Sequence, residues 1–346
     1  MLYATWCPHC NKMKTTVFND QKVLDFLNKN YICVWKNIEK EEGIAIKEKF
    51  NTSGLPIFLF IDAKETLLYA IKGELTTATF MLEAQNALNP KLQLPYLEKQ
   101  FLSDPSNANK CLEYLMTLRK GTDRPNLSKP THIYLETQSD KELVSETNWR
   151  IISNGVTDIQ SREFQYVLNH KKDFEKVTSP IRVERKIINI VSELLEPYTL
   201  NLDSIGYFKD RAIAKTIHLQ KTDSLIFSYD LTLAERSSNW GLYKKASLEG
   251  TEKYVWNTDS KLKEIAQVYL KEINDTNALK KAMDWTKRAL DLNNTADGNL
   301  LLARLYWKIK DRKSAIEYAK NAKAIITEMG WNTKDVDALL QELNSK

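Results

Sequence analysis

Apolar and polar positions follow two different rhythms along this chain. Over residues 1–90 short apolar runs alternate with charged stretches. Residues 2–5 read as the end of a strand, and residues 10–18 as a helix that opens at a cysteine pair. Residues 31–35 (Tyr-Ile-Cys-Val-Trp) form a β-rich apolar run, and a charged helix follows from about 38 to 50. Next come an apolar run at 56–61, a polar turn at 62–65, a second run at 67–71 and Gly73. A helix from about 76 to 88 ends the series. Two apolar runs across a short polar turn make a hairpin, whereas the earlier strands are joined through helices. The predicted order is β-α-β-α-β-β-α, an α/β domain closed by Asn89-Pro90.

From residue 95 onward the period is helical. Ile187, Ile188, Ile190, Val191, Leu194 and Leu195 recur at i, i+1, i+3, i+4, i+7 and i+8, a broad apolar face. Residues 121–130 are the best linker candidate, and 221–239, less regular, read as a loop. Near the end, Ala282 and Ala289 recur as Ala315 and Ala322, a shift of 33 residues, with Leu302-Ala303-x-x-Tyr306 between them. Small residues at that spacing let antiparallel helices approach closely. The pattern resembles degenerate tetratricopeptide repeats over residues 260–328; two such units are fewer than the three an autonomous array needs, so they should pack on the preceding helices. The expected organisation is therefore multi-domain: an α/β domain over 1–90, an all-α domain over 91–258 and repeat-like helices over 259–346.

Composition adds little to this picture and excludes several classes. The net charge is +5, and residues 1–90 hold ten Lys/Arg against ten Asp/Glu, so the excess lies beyond them. It is spread without the dense basic runs or Arg/aromatic interleaving of a nucleic-acid binder, and nucleic acid is not an expected partner. No stretch approaches the ~18–20 apolar residues of a membrane span. Six tryptophans, Trp149, Trp240, Trp256, Trp285, Trp307 and Trp331, are most simply core anchors.

Four cysteines are too few for a disulfide-built scaffold in 346 residues, and two of them share one motif, Thr5-Trp6-Cys7-Pro8-His9-Cys10. Cysteines separated by two residues at a helix start can close a small disulfide. The first then sits at the helix N-terminus, where unpaired N–H groups and the dipole stabilise a thiolate. The second lies inside the first turn, more buried than the first at the exposed helix end and suited to resolve a mixed disulfide, so Cys7 is read as nucleophile and Cys10 as resolving thiol. Pro8 suits the opening turn because its missing N–H costs nothing there. A cationic His9 would favour the Cys7 thiolate and hence the reduced form, which makes a stronger oxidant. Natural dithiol oxidoreductases span about 150 mV, roughly 7 kcal/mol, and the two intervening residues are one lever on that scale. No cofactor is called for beyond a redox-active Cys7–Cys10 disulfide. A zinc site would need further ligands, whereas Cys33, Cys111, His132, His170 and His218 are scattered singly.

Trp6-Cys7-Pro8-His9-Cys10, together with Ser53-Gly54-Leu55-Pro56 ahead of a hairpin closed by Gly73, resembles the thioredoxin-like fold family. More narrowly, residues 1–90 resemble thioredoxin-like domains of bacterial secreted or periplasmic proteins, in which a helix after the motif continues through a segment such as residues 15–20. The resemblance implies protein thiols and disulfides as substrates and an extracytoplasmic, periplasmic location. It implies a cis peptide bond at Pro56 beside the dithiol, and a backbone at Leu55 that pairs with substrate as an added strand. Cys-Pro-His-Cys is also the motif of periplasmic DsbA-type oxidants, although their helical insertion between motif and proline is not seen here.

The chain also departs from the family. Thioredoxins carry a buried acid six residues before the first cysteine; that position is Met1 here. Leu55 stands where threonine or valine is common, which affects substrate preference. The strand leading to the motif is clipped, so the chain reads as cut at its beginning, with a secretory signal expected upstream. A shortened central strand leaves ladder partners unpaired, at about 1–3 kcal/mol for each buried group, and should lower stability unless other segments compensate. The function expected is a thiol–disulfide oxidoreductase, oxidant or isomerase rather than reductant. The alternative is a helical-repeat interaction protein with the dithiol as sensor or vestige, and either way the helical region is a candidate protein-docking surface.

Overall fold

A computed structural model of the chain describes residues 1–52, 54–122 and 124–345, the side chains of Arg124 and Pro125 excepted. Ser53 of the proline motif and Asp123 of the expected linker lie outside the described residues. The apolar runs of the hairpin become strands β3 (Ile57–Ile61) and β4 (Leu67–Lys72), paired antiparallel with Phe58 opposite Ile71 and Phe60 opposite Tyr69. Their turn is held by Asp62, whose side chain accepts from the amides of Lys64 and Thr66 at 2.9 and 2.8 Å. Two short strands, β1 (Leu2–Tyr3) and β2 (Lys36–Asn37), complete a four-stranded sheet of order β2-β1-β3-β4. β1 pairs parallel with β2 and antiparallel with β3.

Helices α1 (Pro8–Thr15), α2 (Gln21–Asn30), α3 (Glu41–Lys49) and α4 (Thr77–Leu88) surround this sheet. The long helical stretch after the motif is broken in two: a 3-10 turn at Val17–Asn19 intervenes, and Asp20 caps α2 by accepting from the Lys22 amide at 2.9 Å. The order is thus β-α-α-β-α-β-β-α, one helix more than the apolar rhythm predicts. Met13, Val17, Val23, Leu27, Phe58, Tyr69, Ile71 and Phe80 form the core beneath. Phe18, Phe58 and Phe80 meet there with ring centroids 5.1–5.8 Å apart.

The run at residues 31–35 is not a strand. Pairing is confined to Lys36 and Asn37, the positions that face the two residues of β1. Before them the Val34 carbonyl accepts from the Met1 amine at 2.8 Å without forming a strand, and Ile32 is 97% exposed. Tyr31 turns inward instead, its hydroxyl donating to the Ala84 carbonyl at 2.6 Å and its ring lying against Phe60. An apolar cavity of about 700 Å³ lies beside this segment, lined by Phe18, Tyr31, Trp35, Phe58 and Phe60 among others.

Beyond α4 come α5 (Leu94–Leu102) and α6 (Ala108–Arg119). The end of α6 is tied to the sheet. The Lys72 amide donates to the Lys120 carbonyl at 2.9 Å, and a Cβ built on Gly121 would lie 2.1 Å from Ala70 Cβ. Gly121 is therefore buried against β4 rather than opening a linker, and a 3-10 turn at Arg124–Leu127 leads into the helix Ser128–Leu135. These ties place residues 1–190 in one compact unit and 191–346 in a second, a division at neither residue 90 nor residue 258.

In the second unit, residues 220–236 form a helix, not the loop their irregular pattern suggests. Thr222, Ile226, Phe227, Asp230, Leu233 and Ala234 are buried at helical spacing, but two of those six are polar, which masks the apolar stripe. Asp230 is tolerated there because Arg211 and the Tyr207 hydroxyl bond it. The helices Asp259–Glu272 and Thr276–Leu292, then Ala296–Lys308 and Arg312–Glu328, run as two successive pairs. Ala282, Ala289, Ala315 and Ala322 are all buried, as their 33-residue recurrence predicts, and the arrangement fits the tetratricopeptide-like pattern. Trp149 and Trp285 are core residues and Trp240, Trp256 and Trp307 are partly buried. Trp331, expected in the core, is 61% exposed, since it follows the helix end at Gly330, a glycine with φ of 68°.

Candidate active site

The dithiol stands where β1 turns into α1. Cys7 is the N-cap of the helix, and its Sγ accepts from the Cys10 amide at 3.1 Å, which satisfies one of the helix's unpaired donors. Pro8 occupies the first helical position. Cys7 and Cys10 are joined in a disulfide with Cα atoms 5.3 Å apart. Both are nearly fully buried, at 3% and 2% exposure, so the expected contrast between an open first and a covered second cysteine does not appear as accessibility. Their places differ nonetheless. Cys7 lines a groove of about 480 Å³ with Trp6, Pro8, His9, Ile38, Lys47, Thr52, Gly54 and Leu55. Cys10 clusters with Ala4 and Cys7 against Tyr3, Ile38 and Leu55. Met1, which stands at the family's acid position, packs on the same cluster and brings no carboxylate to it.

The proline loop forms the facing wall. The Leu55–Pro56 peptide is cis, and Gly54 precedes it with φ of 78°. The Pro56 carbonyl accepts from the Gly73 amide at 2.8 Å, which fastens the loop to the end of β4. Gly73 itself has φ of 94°, a left-handed conformation that a side chain would strain. The positions singled out from sequence, Trp6, Cys7, Pro8, His9, Cys10, Leu55 and Pro56, are thus brought together over a separation of some fifty residues.

Four further side chains belong to this surface and carry no sequence spacing that would reveal them. Trp6 is 66% exposed on the groove lip, and its indole Nε1–H donates to Glu39 Oε1 at 2.8 Å. Glu74, directly after Gly73, bonds the His9 imidazole through Nδ1 at 2.8 Å and pairs with the Lys12 ammonium. Those two hydrogen bonds, His9's first and Lys12's second, hold the Glu74 carboxyl below the usual carboxylate range. Lys47 brings a second cation to the groove from α3.

The two remaining cysteines are elsewhere. Cys33 is free and exposed; Cys111 is free and buried, and burial pushes its thiol up to about 12, far from thiolate chemistry. Among the described residues no group of three His, Cys, Asp or Glu side chains is placed to hold a metal ion. No helix among them is long and apolar enough to cross a membrane.

Comparison with known proteins agrees with the geometry. Residues 1–86 match the thioredoxin-like domain family. Over 78 residues the chain is 35% identical to the thiol:disulfide interchange protein DsbD of Haemophilus influenzae strain PittEE, and to that of strain PittGG. The aligned segment is 22% of this chain and 13% of either relative, so the chain spans about an eighth of the proteins it matches. The N-terminal domain is thioredoxin-like; the residues after 86 lie outside the family match.

Proposed function

We propose that this protein is a thiol–disulfide oxidoreductase that acts on protein thiols through Cys7 and Cys10, as oxidant or isomerase rather than reductant, outside the cytoplasm. The observation that carries the reading is the Cys7–Cys10 disulfide at the N-terminus of α1, with Cys7 lining a groove beside Gly54 and Leu55, the residues that lead into the cis Leu55–Pro56 peptide. A substrate thiolate attacks Cys7 Sγ, the bond to Cys10 breaks, and Cys10 leaves as a thiolate that takes up a proton. The second substrate thiolate then attacks the substrate sulfur of the mixed disulfide and expels Cys7. Two electrons pass from the substrate pair, which becomes a disulfide, to the Cys7–Cys10 pair, which becomes two thiols. The expelled Cys7 thiolate is received by the Cys10 amide and the helix dipole, a term of about 0.3–1 kcal/mol at an exposed helix end and up to about 2 where partly buried. That asymmetry favours the reduced centre and hence oxidation of the substrate. Leu55 offers its backbone to an extended substrate segment along the groove, and Trp6 covers the apolar side chain beside the reacting sulfur. The helical region serves as the site that selects or docks the protein substrate, and no cofactor is needed beyond the disulfide.

The test is oxidation of a dithiol peptide by the purified, oxidised chain. Disulfide should form stoichiometrically with Cys7–Cys10 and not at all with Cys7→Ser. Reduced Cys10→Ala, offered a peptide disulfide, should accumulate a stable mixed disulfide through Cys7. A wild-type rate equal to the protein-free blank overturns the reading.

A further inference from the structure

We propose that Glu74 is a positioning residue of the dithiol centre, holding the His9 imidazole with its proton on Nδ1 and its Nε2 free to exchange protons with thiols entering the groove. The inference deepens the oxidoreductase reading and rests on it. The first observation is the hydrogen bond between His9 Nδ1 and Glu74 Oε2 at 2.8 Å, made across 65 residues of sequence. The second is the occupancy of the carboxylate: Lys12 pairs with Oε1, which leaves Oε2 to the imidazole. An ionised carboxylate is acceptor-only, so the proton in this contact belongs to Nδ1. Glu74 stays ionised because both partners favour its charged form. A neutral His9 is then the Nδ1–H tautomer, and Nε2 carries the lone pair.

The third observation is how rigidly Glu74 is presented. On one side the Gly73 amide is bonded to the Pro56 carbonyl at 2.8 Å. On the other, the Leu75 amide donates to Met13 Sδ at 3.2 Å, and Thr76 caps α4. Glu74 is thus fastened to the cis-proline loop and to α1 at once. His9 lines the same groove as Cys7, Trp6 and Leu55. The charged groups that bear on it are Glu74 after β4, Lys12 on α1 and Lys47 on α3, with Glu39 engaged by Trp6. In the oxidising step Nε2 takes the proton of the attacking substrate thiol, and in the reverse direction returns it to the leaving thiolate. A carboxylate on the far nitrogen fixes the tautomer and orientation of an imidazole that acts as a base.

Nitrogen-15 NMR of the His9 ring in the full chain reads the tautomer without any turnover. At alkaline pH the wild type should show a protonated Nδ1; Glu74→Ala should revert mainly to Nε2–H, and Glu74→Gln, which keeps an acceptor, should retain most of the Nδ1–H form. The rate of peptide dithiol oxidation should fall about tenfold in Glu74→Ala, with a smaller loss in Glu74→Gln. An unprotonated Nδ1 in the wild type, or a tautomer unchanged in Glu74→Ala, overturns the proposal. So does a tautomer that changes while the oxidation rate does not. If no form of the protein oxidises thiols, the oxidoreductase reading fails while the NMR result still decides whether Glu74 sets the ring.

Discussion

At the scale of single residues, the site separates groups that hold the centre from groups that meet the substrate. In the proposed reaction Trp6 belongs to the second kind. Two-thirds of it is exposed, and among the described residues its hydrogen bond goes to Glu39, itself exposed. Removing it deletes little packing. Trp6→Ala should change stability by no more than about 0.5 kcal/mol, the range of ordinary surface substitutions. It should raise KM for a peptide dithiol with kcat nearly unchanged, because the indole binds ground and transition states alike. Urea unfolding beside steady-state kinetics checks both halves. His9 and Glu74 are different in kind, since their contact is with each other as well as with the groove. Sequence could assign His9 a role because it sits between the cysteines. Nothing in the spacing of Glu74 announces it; only the hairpin that carries Gly73 back to the proline loop brings it to the helix.

At the scale of elements, the domain is stiffened from the side opposite its short strands. Lys120, at the end of α6, bonds both oxygens of Glu83 on α4 at 3.0 and 2.8 Å and also meets the Tyr69 hydroxyl on β4. Partial burial alone would raise the Glu83 carboxyl, but the hydrogen bonds from Lys120 and Tyr69 outweigh it and hold the group below its usual range. A carboxylate depressed in the folded state contributes stability that is present above its unfolded value of 4.5 and lost as pH falls through the folded one. Lys120→Met should therefore cost about 1.5–3 kcal/mol at pH 7, the range for a hydrogen bond to a charged group. The deficit should shrink at a pH below the depressed folded-state value, where Glu83 is protonated in both proteins. Chemical denaturation at the two pH values measures it. Beside this contact Gly121 leaves no room for a methyl: a Cβ would meet Ala70 Cβ at 2.1 Å and the Ala70 backbone at 2.9–3.0 Å. Gly121→Ala should destabilise by about 1–3 kcal/mol through forced overpacking, read as a lower denaturant midpoint. No local sequence pattern encodes these contacts. The hairpin, the helix at 77–88 and the motif helix follow from local patterning, whereas a glycine before polar residues reads as a linker whether it is loose or pressed against a strand. The apolar run at 31–35 misled for the converse reason, since strand propensity is realised only where a neighbouring strand supplies hydrogen bonds.

At the scale of the whole molecule, a quarter of the chain carries the recognisable chemistry, yet the compact unit that contains it is twice as long, residues 1–190. Sequence pattern places a boundary at residue 90 because β/α alternation gives way to helical period there. Packing does not respect that change, since β4 is an edge strand in the order β2-β1-β3-β4 and something must cover its outer side. The chain after α6 supplies the cover: the Lys120 carbonyl receives the Lys72 amide at 2.9 Å, and Gly121 closes on Ala70. A fragment that ends at residue 90 would keep every residue of the dithiol site and lose this lid on β4. Lys72 would then face water with its amide free, and Glu83 would lose its cation. The prediction is that such a fragment retains the Cys7–Cys10 disulfide and the groove but exchanges the Lys72 amide hydrogen far faster than the full chain, with a lower unfolding midpoint. Amide hydrogen exchange at Lys72, compared with that of Ala70 in the β3–β4 ladder, isolates the effect from global instability. Equal protection of Lys72 in fragment and full chain would mean that the thioredoxin-like residues complete their own edge. Strong and selective loss of protection would make the first helices beyond residue 90 part of the thioredoxin-like domain itself, because its edge strand is then completed only by chain that the β/α pattern leaves out.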